Sequence, residues 1–504
     1  MKILRRFFSA VLNLKSRRQR IFIAAVAAVT VAFNFFWCAV SIESDWFYAY
    51  PLEGSVDDYG CYPQVFDAFM KGRTDIDTDY DLSVYESLSN PYDTPTRRAA
   101  TGENFGVTWD RAYYGGKLYS YFGVAPVILL YFPAYFITGK VLSDALAAAM
   151  ISSFASVALE LLLCELLART GKKIPLWLSV CAAICLPFGA LLYPTLTNAN
   201  FYHIAVLAGI ASVSAAFLFL LYGEKSKTRA RRVWFALSGL FSACIIASRP
   251  NMALYLAAAI PLIAAIIIKR PRGAKSALAD AVAYAVPALA VGTAVMIYNA
   301  VRFGSPFDFG NNYQLTLWDM SKVTFSFTFI LPAIYHYFLH LPSVDGTFPF
   351  IHPGYGRLQN YGVNRSVYVS GSVGAAFLPC TWGAFLVPFA LKGAGKKAKW
   401  SAFLAAAAVF AIAVSDMSYA GVHLRYEADI AFVCALGGAF GFAVFAARLK
   451  ESGRIKSYRA VCGFALAAFV LTALISTALC FDNERDMILK FHRGFYDAVK
   501  SLFD

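Results

Sequence analysis

Between residues 142 and 459, long apolar runs are separated by short polar breaks, and every second break carries a cluster of Lys and Arg. A hydrocarbon core of roughly 30 Å takes about 20 helical residues to cross, and the runs have that length. The pattern predicts eleven membrane helices, at residues 21–42, 142–168, 174–193, 200–222, 233–248, 251–268, 280–299, 372–391, 400–415, 428–447 and 460–481. Residues 233–269 read as a hairpin, because one helix at about 1.5 Å per residue would overshoot the bilayer. Both flanks are basic, and Ser248-Arg249-Pro250-Asn251 supplies the turn.

The basic breaks assign the sides. The loops 169–173, 225–232, 269–275, 392–399 and 448–459 hold 3, 5, 4, 4 and 5 basic residues, 21 in all, whereas 194–200, 248–251 and 416–427 together hold 2. Basic loops stay in the cytoplasm, so the second set faces outward. The start of the chain, with Lys2, Arg5, Arg6, Lys15, Arg17, Arg18 and Arg20 ahead of the first run, is expected inside. This order holds only if residues 122–138, an apolar but short stretch with Pro126 and Pro133, lie along the outer interface instead of crossing.

The expected fold is thus an all-α polytopic membrane protein. Residues 1–42 form the cytoplasmic start and first span, 43–141 an outer loop with interfacial helices, and 142–299 spans two to seven. Residues 300–371 make a second large outer loop, 372–481 spans eight to eleven, and 482–504 an amphipathic outer tail. Composition agrees, with 59% apolar and 15% charged residues over 504 positions. The formal net charge of +14 lies in short clusters beside apolar runs, where it meets anionic lipid, and it does not indicate nucleic acid. The ten cysteines fall mostly inside apolar runs without metal-ligand spacing.

Chemistry is therefore sought on the outer side. Fourteen of the 31 acidic residues lie between Glu43 and Asp110. Asp57-Asp58 precedes an amphipathic stretch (Val65, Phe66, Phe69, Met70), where a carboxylate serves either as a general base or as a helix cap. Asp110 is a second candidate, with Arg97, Arg98 and Arg111 as alternative ion-pair partners. Arg249, Arg302 and Arg425 sit at outer ends of spans or in outer loops, and a guanidinium fork suits phosphate oxygens. Tyr59, Tyr113, Tyr121, Tyr313 and Tyr426 are the candidate substrate-contacting rings; such rings also populate membrane interfaces. His336 and His340 have i, i+4 spacing but no carboxylate at motif distance, so no metal is assigned and no cofactor is expected.

The acidic pair early in the first outer loop, the stretch YSYFGVAPVILLYFPAYFITG, the hairpin Ser248-Arg249-Pro250, Tyr298-Asn299 with RFGSPFDFG, and Arg425-Tyr426 together resemble the C-type membrane glycosyltransferase superfamily. The likeness is to its branch of protein O-mannosyltransferases and the lipid A aminoarabinose transferase. The pair here is Asp-Asp where that family often has Asp-Glu. The resemblance implies transfer of a sugar, with inversion, from a polyprenyl-phosphate donor to an extracytoplasmic glycan, lipid or protein acceptor. Asp57 or Asp58 would deprotonate the acceptor, and the arginines would stabilise the departing lipid phosphate.

Two other functions use the same features. A transporter or flippase of a lipid-linked sugar needs the basic contacts and the aromatic cap but no base, and no internal repeat of the kind transporters carry is visible. A non-catalytic envelope-assembly subunit needs neither. The topology itself is testable: a cysteine in place of Lys140 is expected to react with an impermeant thiol reagent added outside intact cells, and labelling from the cytoplasmic side alone overturns the eleven-span order.

Overall fold

A computed structural model describes residues 17–42, 49–50, 57, 60–102, 108–269, 273–354, 357–361, 366–374, 376, 378–482 and 486–504. Asp58 and Tyr59 lie outside the described residues. All eleven apolar runs form helices: α1 Arg17–Ala39, α2 Asp144–Arg169, α3 Leu176–Gly189, α4 Phe201–Lys225, α5 Thr228–Ile246, α6 beginning at Pro250 as a 3-10 turn and ending at Lys269, α7 Ala274–Phe303, α8 Pro379–Ala390, α9 Lys396–Tyr419, α10 Leu424–Glu451 and α11 Ile455–Phe481. Among the described residues nine of them, all but α5 and α8, are long and apolar enough to cross a membrane. Several run past the expected bounds, α7 as Ala274–Phe303 and α11 from Ile455, and two departures have a visible cause. The α5 helix starts at Thr228, inside the basic cluster, because Arg231 is buried against Asp280 of α7, Nε to Oδ1 at 3.0 Å. The α8 helix begins only at Pro379, since the residues before it are drawn into loop pairing.

Local sequence sets the helix starts. Ser143 caps α2 by accepting from the Leu146 amide at 3.2 Å, and Asn200 caps α4 by accepting from the Tyr202 amide at 3.0 Å. The α4 helix is the centre, mostly buried and packed on α2, α5, α6 and α10, whereas α7 is peripheral, mostly unburied and packed chiefly on α5. Because the helices alternate in direction, the starts of α2, α4 and α10 and the α5–α6 turn share the end opposite the basic loops. At the basic end, Arg169 joins Glu165 (2.9 Å) to Glu224 (2.5 Å), and Lys172 meets Glu451 (2.5 Å).

Residues 127–138 form a π turn followed by an α-helix, about 18 Å long at the usual rise and so too short to cross. Their two ends stay on one side of the bundle: the Ala125 amide donates to Ala247 O (2.9 Å), and Val141–Leu142 pairs antiparallel with Ala49–Tyr50. The two outer loops are stitched together. The Asp110 amide donates to Leu315 O (3.0 Å), the Leu315 amide to Arg111 O (2.8 Å), and the fully buried Arg97 donates to the carbonyls of Pro91 (3.0 Å) and Thr316 (2.5 Å). The hairpin at 112–119 and the antiparallel pairing of Arg357–Asn360 with Ser366–Val369 complete the roof, and the latter bridges to the start of α10 through Val369 and Val422.

The contact between α8 and α10 is made backbone to backbone. A Cβ on Gly438 would clash with the Cys380 carbonyl, and one on Gly441 with the Gly383 carbonyl. Gly438→Leu is therefore expected to destabilise the protein by more than the roughly 1–3 kcal/mol of ordinary overpacking. Gly463→Leu, on an open face of α11, is expected to be tolerated. Thermal unfolding and gel filtration of the two variants check the contrast.

Candidate active site

Four pieces of chain converge at the end of the bundle away from the basic loops. The first is the turn at Asp110. Its backbone is left-handed, with φ 53°, a conformation Asp tolerates better than most residues, and the two backbone bonds to Leu315 hold it there. The side chain is buried, and its Oδ2 accepts from the Tyr202 hydroxyl. The neighbouring Arg111 turns away, donating Nη2 to Gln64 Oε1 at 2.9 Å and lying 5.0 Å over the Phe201 ring.

The second piece is the strap Tyr121-Phe122-Gly123. Gly123 has no room for a side chain, because a Cβ would enter the Ala247 carbonyl. The strap therefore lies directly on the turn that leads to Arg249. Phe122 meets Phe201 and Tyr202 edge-on at 5.2 and 5.7 Å. Burial, and then the nearby Asp110 carboxylate, raises the Tyr121 phenol well above its ordinary range, so it stays protonated.

Tyr202 is the hinge of the arrangement. Its hydroxyl holds Asp110, and the Arg425 guanidinium lies 4.8 Å over its ring. Arg425 also lies 4.9 Å over Tyr426, and Arg249 lies 5.1 Å over that same ring. A stacked cation of this kind gains about 0.5–2 kcal/mol according to its desolvation. Beside Arg425 is a small cavity walled by Thr195, Asn198, His203, Pro353, Gly371 and Leu424. His203 Nδ1 stands 2.9 Å from Asn200 Oδ1, the oxygen that also caps α4. That oxygen only accepts, so Nδ1 carries the hydrogen and a neutral ring keeps Nε2 as its acceptor.

Of the residues singled out from sequence, the fold brings together Asp110, Tyr121, Arg249, Arg425 and Tyr426. Asp57 is elsewhere engaged: its Oδ2 accepts from the Thr78 hydroxyl (3.0 Å) and the Asp79 amide (2.9 Å). The chain following it nevertheless returns to the site. Gly60 packs on the Asp144 carboxylate, and the Cys61 thiol meets Ser120 Oγ at 3.3 Å. Arg302 is buried, donating to Ser120 O and Asn299 Oδ1 (2.7 Å) and stacking on Tyr298 at 3.7 Å. Tyr113 packs edge-on against Tyr85 at 5.4 Å, and Tyr313 packs on Tyr114 at 4.6 Å with its hydroxyl on Asp308. Both belong to the roof. Tyr202 and Asn200 were not singled out; the one sequence signal was an Asn placed as a cap immediately before an aromatic pair.

No family model matches the chain, and neither does any curated protein. Among solved structures the chain is similar to the oligosaccharyltransferase of Archaeoglobus fulgidus in its apo form, with TM-score 0.48 and 13% identity over 92% of this chain and 56% of that one. It is similar to archaeal AglB from the same organism, in complex with an inhibitory peptide and a dolichol-phosphate, with TM-score 0.42 and 12% identity over 93% and 57%. It is also similar to ArnT from Cupriavidus metallidurans bound to undecaprenyl phosphate, with TM-score 0.40 and 13% identity over 92% and 76%. The chain thus spans little more than half the length of the archaeal proteins.

Proposed function

We propose that the chain is a multi-pass membrane glycosyltransferase that moves a sugar, with inversion, from a polyprenyl-phosphate donor to an extracytoplasmic acceptor. The observation that carries this reading is the pairing of Asp110 and Arg425 through one tyrosine, the carboxylate on the Tyr202 hydroxyl and the guanidinium over the ring. Inverting transfer needs a base for the acceptor hydroxyl and a cation for the leaving phosphate, held apart by about the size of a sugar. Asp110 would take the acceptor proton as the acceptor oxygen attacks the anomeric carbon. The bond to the lipid phosphate then breaks, and Arg425 stabilises the charge that develops on it. The site lies at the end opposite the basic loops, which by charge is the extracytoplasmic side, with the start of the chain in the cytoplasm. Apolar grooves between the helices suit the prenyl tail.

The loop of Asp57 and Asp58 leads into Cys61 beside Ser120, so Asp58 remains a second candidate for the base. Asp57, fastened to Thr78 and Asp79, is assigned to holding the loop. The test is transfer from a panel of radiolabelled polyprenyl-phosphate sugars by purified protein in lipid. Asp110→Asn is expected to lower transfer at least about 100-fold with donor binding retained, and Arg425→Gln to weaken donor binding roughly tenfold or more. Asp57→Asn should change either by less. Transfer lost in Asp58→Asn but kept in Asp110→Asn moves the base to the earlier loop. Donor binding without transfer by any form replaces the reading with a lipid-linked sugar transporter or an assembly subunit.

A further inference from the structure

Beneath the Arg425 wall lies a second polar cluster, built from three elements. Asp429 on α10 accepts from Arg249 through Nε (2.9 Å) and Nη2 (2.6 Å), and from Asn251 Nδ2 (2.9 Å). The same Asn251 nitrogen donates to Asp416 Oδ1, near the end of α9, at 2.9 Å. One amide thus ties two carboxylates, an oxygen of each lying 2.9 Å from the same nitrogen. Asp416 is 7% exposed and Asp429 not at all. Among the described residues their remaining oxygens, Asp416 Oδ2 and Asp429 Oδ1, have no donor, and neither does Asn251 Oδ1.

Two charges of one sign gathered on one amide nitrogen, with a single guanidinium to offset them, are expensive to bury. The other groups near the pair do not remove the excess. Tyr255 and Tyr337 are neutral phenols whose hydroxyls donate elsewhere, to Asp429 O (2.9 Å) and Gly421 O (3.0 Å). Glu427, whose Oε1 accepts from the Val373 amide (3.0 Å), adds negative charge. One proton answers both the charge and the geometry. Placed between the carboxylates it makes an O–H···O bond where two buried charges would otherwise repel, and it brings the Asp416, Asp429 and Arg249 group to zero net charge.

We propose that Asp416 and Asp429 hold one proton between them and act as positioning residues, fixing Arg249 beneath Tyr426 and thereby the Arg425 guanidinium on the cavity wall. Arg249 is then a structural anchor whose fork is spent on Asp429, and the phosphate contact falls to Arg425. The shared proton is independent of the proposed function; the positioning role rests on it.

The test uses the full chain in detergent, with undecaprenyl phosphate as the probe. The wild type is expected to show the infrared carbonyl absorption of a protonated carboxyl, shifting in heavy water, that Asp416→Asn lacks. Because the introduced amide donates where the shared proton did, Asp416→Asn is expected to bind the probe within about threefold of wild type. Asp429→Asn, which leaves Arg249 facing a neutral amide, is expected to weaken binding roughly tenfold and to lower the unfolding temperature, because a buried guanidinium loses its partner. If that variant does not accumulate folded, Asp429→Glu, which keeps the charge and displaces Arg249 by a methylene, is expected to weaken binding in the same direction. An unchanged infrared spectrum in Asp416→Asn overturns the shared proton. Wild-type binding by a folded Asp429 variant overturns the positioning role. Failure of the wild type to bind the probe overturns the reading of the site and the positioning role with it, while the infrared band still decides the proton.

Discussion

A hydrocarbon core offers nothing that solvates a charge or an open backbone amide, and this constraint orders the molecule. Inside the bundle, charged side chains are met by partners: Arg231 by Asp280, Arg249 by Asp429, and Glu160 by the Thr30 hydroxyl at 2.6 Å. Irregular chain is confined mostly to the end away from the basic loops. There the two outer loops satisfy each other's backbone, as where Asp110 and Arg111 exchange bonds with Leu315. The site can form only where such chain exists, and the same bonds that satisfy it make it rigid. A left-handed Asp110 costs on the order of 1–3 kcal/mol and persists because its surroundings over-determine it.

The spans were legible because the bilayer filters on length and apolarity, which composition reports directly. Where the reading slipped, a side chain was used against its type. Arg231 counts as loop in any tally of charge, yet it is buried in α5 because Asp280 stands across from it on α7. Residues 372–378 count as apolar span, yet Val373 gives its amide to Glu427 and Ser372 O takes the Gly354 amide, so the helix waits until Pro379. Both partners are far away in sequence. No local pattern could have announced them.

The site was legible in its charges and not in their assignment. Asp110, Arg249, Arg302 and Arg425 all carry the right chemistry on the right side, but the fold gives each a different set of neighbours. Tyr202 escaped notice because it opens an apolar run, where an aromatic residue reads as lipid-facing or core. Its place depends on Asn200, whose side-chain oxygen caps the helix and orients His203 at the same time.

The three arginines show how partner supply sets function. Arg302 gives its donors to the Ser120 and Tyr298 carbonyls and the Asn299 amide, which hold the strap in place. Arg249 gives its fork to a buried carboxylate that largely cancels its charge. Arg425 meets the faces of Tyr202 and Tyr426 and borders the cavity. A ring face steadies a guanidinium against sideways movement, and of the three arginines it is Arg425 that lines the cavity. A polyanionic leaving group needs a cation held in place beside it, and stacking on the faces of Tyr202 and Tyr426 holds one at the cavity.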